Sequence, residues 1–283
     1  MLADFRSASE QNLHAFSPHS QSWLQKPRNL PPRQDGGSVY GHLIRSPAQG
    51  TNVGVDQLSG CTCRDISHLT AGIMAFKASH YGRGAGLMQS LVEDGQAPAT
   101  LMISCSDSRV DPAILSGAKP GELFTVRNVA NLGPPYQPGP SLHGTGAAIE
   151  YAVRDLKVDH IVVMGHAHCG GIKALINGAG GQRMARDFIN DWVEIALDAC
   201  RLHVNDPKTQ GGRREVSLDL LRENAFLVER AAIAGSLKNL LTYPWLRERV
   251  DAGTLQLHGW WFDLDTGDLW QTRAGESTLL PVS

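Results

Sequence analysis

Apolar positions follow two patterns along this chain, and the two alternate. Short unbroken apolar stretches predict strands at Ala99 to Ser104, Ile161 to Met164 and Leu255 to Phe262, with a further strand at Glu122 to Val126. An unbroken run is what a strand covered on both faces of a parallel sheet requires. Between the strands, apolar residues recur three or four apart, the period of a helix with one buried face. Ile66, Leu69, Ile73, Phe76 and His80 predict a first helix, with Asp65 as its cap. A second piece runs from Leu87 to Glu93, and a third from Thr145 to Leu156. Gly144 and Gly146 at the start of the third are expected to permit close backbone approach. Phe188, Trp192, Ile195, Ala199 and Leu202 predict a long helix, and Leu221, Ala225, Val228 and Ala232 another that continues toward Leu241. Turn-forming clusters separate these segments at Tyr81-Gly82-Arg83-Gly84, Gly95-Gln96-Ala97-Pro98, Asn131 to Pro140 and Asp265-Thr266-Gly267-Asp268. Alternation of strand and helix predicts an α/β fold around a mostly parallel sheet.

The pattern fails before residue 65. Pro31-Pro32, Gly36-Gly37 and many Ser and Gln residues interrupt it, so residues 1–64 are expected to be a flexible extension and residues 65–283 the domain. The extension lacks the apolar core of a secretory signal, and it is too acidic for an organelle transit peptide. No apolar run approaches the roughly 20 residues of a membrane span. The formal net charge of −2 gives no reason to expect nucleic acid or a membrane as partner. Five cysteines in 283 residues are too few for a disulfide framework, so free or metal-bound thiols and the cytoplasm are expected. Cys61 and Cys63 have no finger-type partners, and Cys200 fits a buried thiol on its helix.

Chemistry concentrates just after two of the strands. Cys105-Ser106-Asp107-Ser108-Arg109 follows the first, and Gly165-His166-Ala167-His168-Cys169-Gly170-Gly171 follows the apolar run that ends at Met164. In parallel sheets, sites form at the carboxyl ends of strands. Cys105, His166 and Cys169 therefore offer two thiolates and an imidazole to a zinc ion, and three protein ligands leave the open position of a catalytic site. Asp107 could itself occupy that position. A bidentate pair with Arg109 would hold it away and leave it free to accept a hydrogen bond from a zinc-bound hydroxide. Gly170 and Gly171 open a helix whose N–H groups favour a thiolate. His168, between two ligands, is expected at the surface or behind them.

Cys-x-Asp-x-Arg followed by His-x-x-Cys-Gly-Gly resembles the β-class carbonic anhydrases, and the likeness extends over about residues 65 to 272. It includes Pro120-Gly121-Glu122, Arg127-Asn128-Val129-Ala130-Asn131 and Gly146-Ala147-Ala148-Ile149-Glu150-Tyr151-Ala152. The resemblance implies zinc-dependent reversible hydration of carbon dioxide to bicarbonate and a proton. The expected fold is then a central, mostly parallel β-sheet flanked by helices, with an N-terminal helical arm and a late edge strand. The arm embraces a second copy, the assembly is a dimer or larger, and active sites lie between subunits. One form of the family closes its zinc through a Trp, an Arg and a Tyr; this chain has Met102, Arg127 and Phe262 at the matching positions. The plant-like, open-site form lines its pocket with Gln, Phe and Tyr, matched by Gln96, Phe124 and Tyr151. Val129 and Gly170 complete the pocket that the resemblance implies. His143, His168 and Tyr151 are candidates to pass protons to solvent. Two other readings share the ligands: hydrolysis of carbonyl sulfide or carbon disulfide, and a zinc module without catalysis.

Overall fold

The computed structural model describes residues 65–81, 86–139, 143–182, 185–197, 218–272 and 278–282. The chain divides into two units between Arg64 and Asp65, and the second holds every described residue. Cys61, Cys63 and Cys200 lie outside the described residues, as does the end of the helix expected to reach Leu202.

Six strands form one mixed sheet. They are β1 (Thr100–Cys105), β2 (Leu123–Asn128), β3 (His160–His166), β4 (Gln256–Phe262), β5 (Leu269–Thr272) and β6 (Leu279–Pro281), in the order β2-β1-β3-β4-β5-β6. Neighbours from β2 to β4 run parallel, and β5 and β6 are added antiparallel. The late edge strand is therefore β6; β4 lies inside the sheet. Helices in chain order are α1 (Ser67–His80), α2 (Gly86–Glu93), α3 (Pro112–Ser116), α4 (Gly144–Glu150), α5 (Gly170–Ala179), α6 (Ile189–Glu194), α7 (Leu218–Glu223), α8 (Ala225–Leu240) and α9 (Pro244–Asp251).

The apolar runs became strands because both of their faces are covered. Leu101, Ile103, Ile161 and Val163 have no solvent exposure and pack with Ile149, Ile233, Leu240 and Leu246 from the helices. Burying one such side chain contributes about 1.5–3 kcal/mol. Close approach of α8 depends on two strand glycines. A Cβ on Gly165 would sit 2.9 Å from Ile233 Cδ1, and one on Gly259 would sit 2.9 Å from Ile233 Cγ2. The close approach expected of Gly144 does not occur, since nothing lies within 4 Å of its Cβ position, and Gly146 makes only ordinary contacts.

Several helices differ from the periodicity. The third stops as an α-helix at Glu150 and finishes in a π turn over Tyr151–Asp155. The fourth is short, because turn bonds from Ile195 and Ala196 to Trp192 and Val193 end it after Glu194. The fifth breaks at Asn224 into α7 and α8. Asp65 stands one residue before the cap position, where its carboxylate accepts the Ser67 backbone N–H at 2.9 Å. The apolar stripe of α1 is exposed along its length, with Ile66, Leu69 and Ile73 all more than half accessible. No described helix is long and apolar enough to cross a membrane.

Candidate metal centre

Sheet register brings the two chemistry-bearing stretches together. Ser104 pairs with Met164 across β1 and β3, so Cys105 and His166 leave the same end of the sheet. Cys169 follows one loop later as the N-cap residue of α5. The Sγ atoms of Cys105 and Cys169 are 3.9 Å apart, and both sulfurs lie with a His166 ring nitrogen inside a 4.8 Å cluster. All three side chains are buried.

Three features test the cluster as a metal site. Bonds of 2.3 Å from zinc to two sulfurs in a tetrahedron put those sulfurs about 3.8 Å apart, close to the spacing found here. His166 Nδ1 is 2.8 Å from the Ala167 carbonyl oxygen, which fixes the ring. Its Nε2 is buried with no hydrogen-bond partner, a costly arrangement unless that atom faces a metal. The two thiols hydrogen-bond, which lowers the pKa of Cys105 and raises that of Cys169, so the pair gives up its first proton readily. This donor set fits zinc.

The Asp107–Arg109 pair is formed. Arg109 donates Nε to Asp107 Oδ1 at 2.9 Å, Nη2 to Oδ2 at 2.7 Å, and its backbone N–H to Oδ1 at 3.0 Å. Those bonds, outweighing partial burial, hold the carboxyl well below the usual carboxylate range. Asp107 Oδ2 stands 4.0 Å from His166 Nε2. A left-handed backbone at His168, with φ of 59°, presents the carbonyl of that residue to Arg109 Nη2 at 3.2 Å. The His168 ring is exposed and bonded to Asp265 Oδ2 at 2.8 Å, as its expected surface place requires.

Two further side chains support the ligands, and neither was assigned this work from the sequence. Arg127 donates to the carbonyls of Cys105 at 3.0 Å and Asp107 at 2.7 Å, and to Asp111 at 2.8 Å. It thereby ties the loop after β1 to β2. Glu229 on α8 is buried; it accepts the Cys169 backbone N–H at 3.1 Å and Trp261 Nε1 at 3.2 Å. Burial raises its pKa. The available signal was a carboxylate inside the apolar face of α8, which periodicity flags without naming a partner.

The expected pocket residues separate into two groups. Val129 and Gly170 lie at the centre: Val129 Cγ1 is 2.7 Å from where a Cβ on Gly171 would stand. The Val129 carbonyl accepts Trp192 Nε1 at 2.7 Å, and Asn128 closes the loop through Leu132 with bonds of 2.8 and 2.9 Å. Phe124 and Tyr151 meet each other, ring centroids 5.8 Å apart, but at the other end of the sheet. Phe124 pairs with Leu101, four residues before Cys105, a separation of about 13 Å along the strand. Gln96 is exposed in the turn that leads into β1. None of these three is brought to the cluster of its own chain. Met102 and Phe262 occupy β1 and β4, while Arg127 is engaged as described.

The carbonic anhydrase family model matches residues 100–269. β carbonic anhydrase 5, chloroplastic, of Arabidopsis thaliana is 41% identical over 170 residues, covering 60% of this chain and 52% of its own length. β carbonic anhydrase 6, mitochondrial, of the same plant is 39% identical over 178 residues, covering 63% of this chain and 58% of its own. This chain thus spans little more than half the length of those relatives. Among solved structures, the β-carbonic anhydrase CcaA is similar with a TM-score of 0.61 and 32% identity, covering 77% of this chain and 93% of that one. A tetrameric β-carbonic anhydrase of the ascomycete Sordaria macrospora gives 0.58 and 27%, covering 74% and 98%.

Proposed function

Because this chain belongs to the β-class carbonic anhydrase family, we propose that residues 65–283 catalyse the reversible hydration of carbon dioxide to bicarbonate and a proton. The observation that carries this reading is one arrangement: two thiols and a histidine nitrogen clustered at two strand ends, beside a carboxylate held by its own arginine. A structural zinc site normally shows four Cys or His ligands, so the donor set favours catalysis over a zinc module.

Cys105, His166 and Cys169 hold zinc in this proposal. Zinc, when bound, supplies Lewis acidity that makes water acidic enough to act as a nucleophile near neutral pH. Asp107 works beside it as an acceptor only, because Arg109 keeps it ionised. It takes the hydrogen bond of the attacking oxygen and turns a lone pair toward the carbon of carbon dioxide. Arg109 prevents Asp107 from swinging into the open ligand position, which makes this the open, plant-like form. Gly170 leaves the first turn of α5 uncovered, so its backbone can approach the negative charge growing on the substrate oxygens. Val129 gives the pocket a small apolar wall.

Gln96, Phe124 and Tyr151 serve the pocket of a second copy rather than their own. Their distance from the cluster of their own chain supports this, and so does the exposed apolar stripe of α1. The Sordaria macrospora relative is described as tetrameric, and self-association is proposed here on the same footing. Residues 1–64 are proposed to be an extension that the reaction does not need. The cytoplasm is the proposed compartment, on the ground that metal-binding thiols persist where the medium is reducing.

Stopped-flow measurement of carbon dioxide hydration, with zinc content and oligomer size determined on the same sample, tests the proposal. Zinc near one per chain with rapid hydration is the expected result. Zinc-loaded protein without hydration refutes it, and sulfide release from carbonyl sulfide or carbon disulfide in its place assigns the other chemistry.

A further inference from the structure

We infer that His160 and His258 form a second metal site, a two-imidazole chelate for a divalent transition ion such as nickel, zinc or copper. The two rings meet on neighbouring strands of the sheet. β3 and β4 are parallel, and Val162 is the partner of His258, so His160 is its diagonal neighbour on the same face. His258 Nε2 lies 3.2 Å from His160 Nδ1, with ring centroids 5.2 Å apart. Both side chains are half-buried. Metal–nitrogen bonds of 2.0–2.1 Å put two nitrogens about 3.3–3.4 Å apart in a tetrahedron and about 2.9 Å apart at a right angle. The spacing found lies between these values, so an ion is accepted with little movement of either ring.

Three properties make this pair a better chelate than two surface histidines. Both backbones are fixed, since β3 is hydrogen-bonded to β1 on one side and β4 on the other. Less side-chain freedom is therefore lost on binding. Burial and the neighbouring ring lower the pKa of His258, which keeps it in the neutral form that ligates metals. Imidazole nitrogen is also a good donor for nickel, copper and zinc, and half-burial leaves room for water to complete the coordination. The hydrogen now shared between the rings moves to the far nitrogen of its own ring when the ion enters, so no proton need be released. The site stands about 20 Å from His166 along β3, six residues away, and shares no ligand with the centre described above.

Nickel is the probe, because it does not oxidise thiols, and untagged zinc-loaded protein is the sample. Calorimetric titration of the wild type and of His160→Gln and His258→Gln is compared, with zinc content and circular dichroism of each. The expected result is one nickel per chain fewer in either variant, with zinc content unchanged. Equal nickel binding by wild type and both variants overturns the inference, as does an absence of nickel binding by the wild type. If a variant fails to fold, a wild-type crystal soaked in nickel decides. Anomalous density between the two rings supports the site, and its absence there refutes it.

Discussion

Removing Glu229 tests whether the zinc ligands depend on a residue that touches no metal. In Glu229→Ala, the Cys169 backbone N–H and the Trp261 indole N–H both lose their acceptor inside the protein. Each buried donor left unpaired costs about 1–3 kcal/mol, so a loss of roughly 2–6 kcal/mol in folding stability is expected, less where water enters the space. The same change loosens the N-cap of α5, which carries a ligand. Loss of a partner that orients a metal ligand typically weakens metal binding 10–100-fold, or about 1.4–2.7 kcal/mol. Glu229→Gln keeps one acceptor oxygen and turns an amide N–H₂ toward the other donor, so it should fall between wild type and alanine on both scales. Urea denaturation of the zinc-loaded protein gives the first quantity, and competition with a chromogenic chelator gives the second. Unchanged zinc affinity in a destabilised Glu229→Ala would refute the reasoning, because Glu229 would then support the core without positioning Cys169.

Four further outcomes are expected. Asp107→Asn should lower turnover at least 100-fold while zinc content stays the same, read by stopped-flow and metal analysis, because the amide can no longer serve as acceptor alone. Gly171→Ala should cost about 1–3 kcal/mol in urea denaturation, since its Cβ would stand 2.7 Å from Val129 Cγ1 and 2.9 Å from Ala130 Cβ. The lowered pKa of Asp107 stabilises the fold above its unfolded value of about 3.9, and this contribution disappears as pH falls through the lower folded value. Acid denaturation of Asp107→Asn should consequently depend less steeply on pH below about 4 than that of the wild type. Deleting residues 1–64 should leave a chain that folds cooperatively and binds zinc, measured by denaturation and metal analysis.

The sequence by itself determined which segments are strands at the centre of the sheet, because only a run without polar interruption survives burial on both faces. Leu101 to Ile103 and Ile161 to Met164 were legible on that account. It also determined the chemistry offered at the ends of these strands, since Cys105, His166 and Cys169 with the Asp107–Arg109 pair are recognisable as residue types at fixed spacings. Tertiary structure decided the rest, where the cause lay across space. Glu229 was one carboxylate on an apolar helix until α8 packed over Gly165 and Gly259 and set it under Cys169. The ends of α6 and α7 followed from local turn bonds at Ile195 and Asn224 that apolar spacing does not encode. Phe124 and Tyr151 matched a pocket by position in the sequence, yet parallel register carries Phe124 to the opposite end of β2 from the metal centre. A strand rises about 3.3 Å per residue, so four residues of register are enough to remove a side chain from a site that its sequence appears to join.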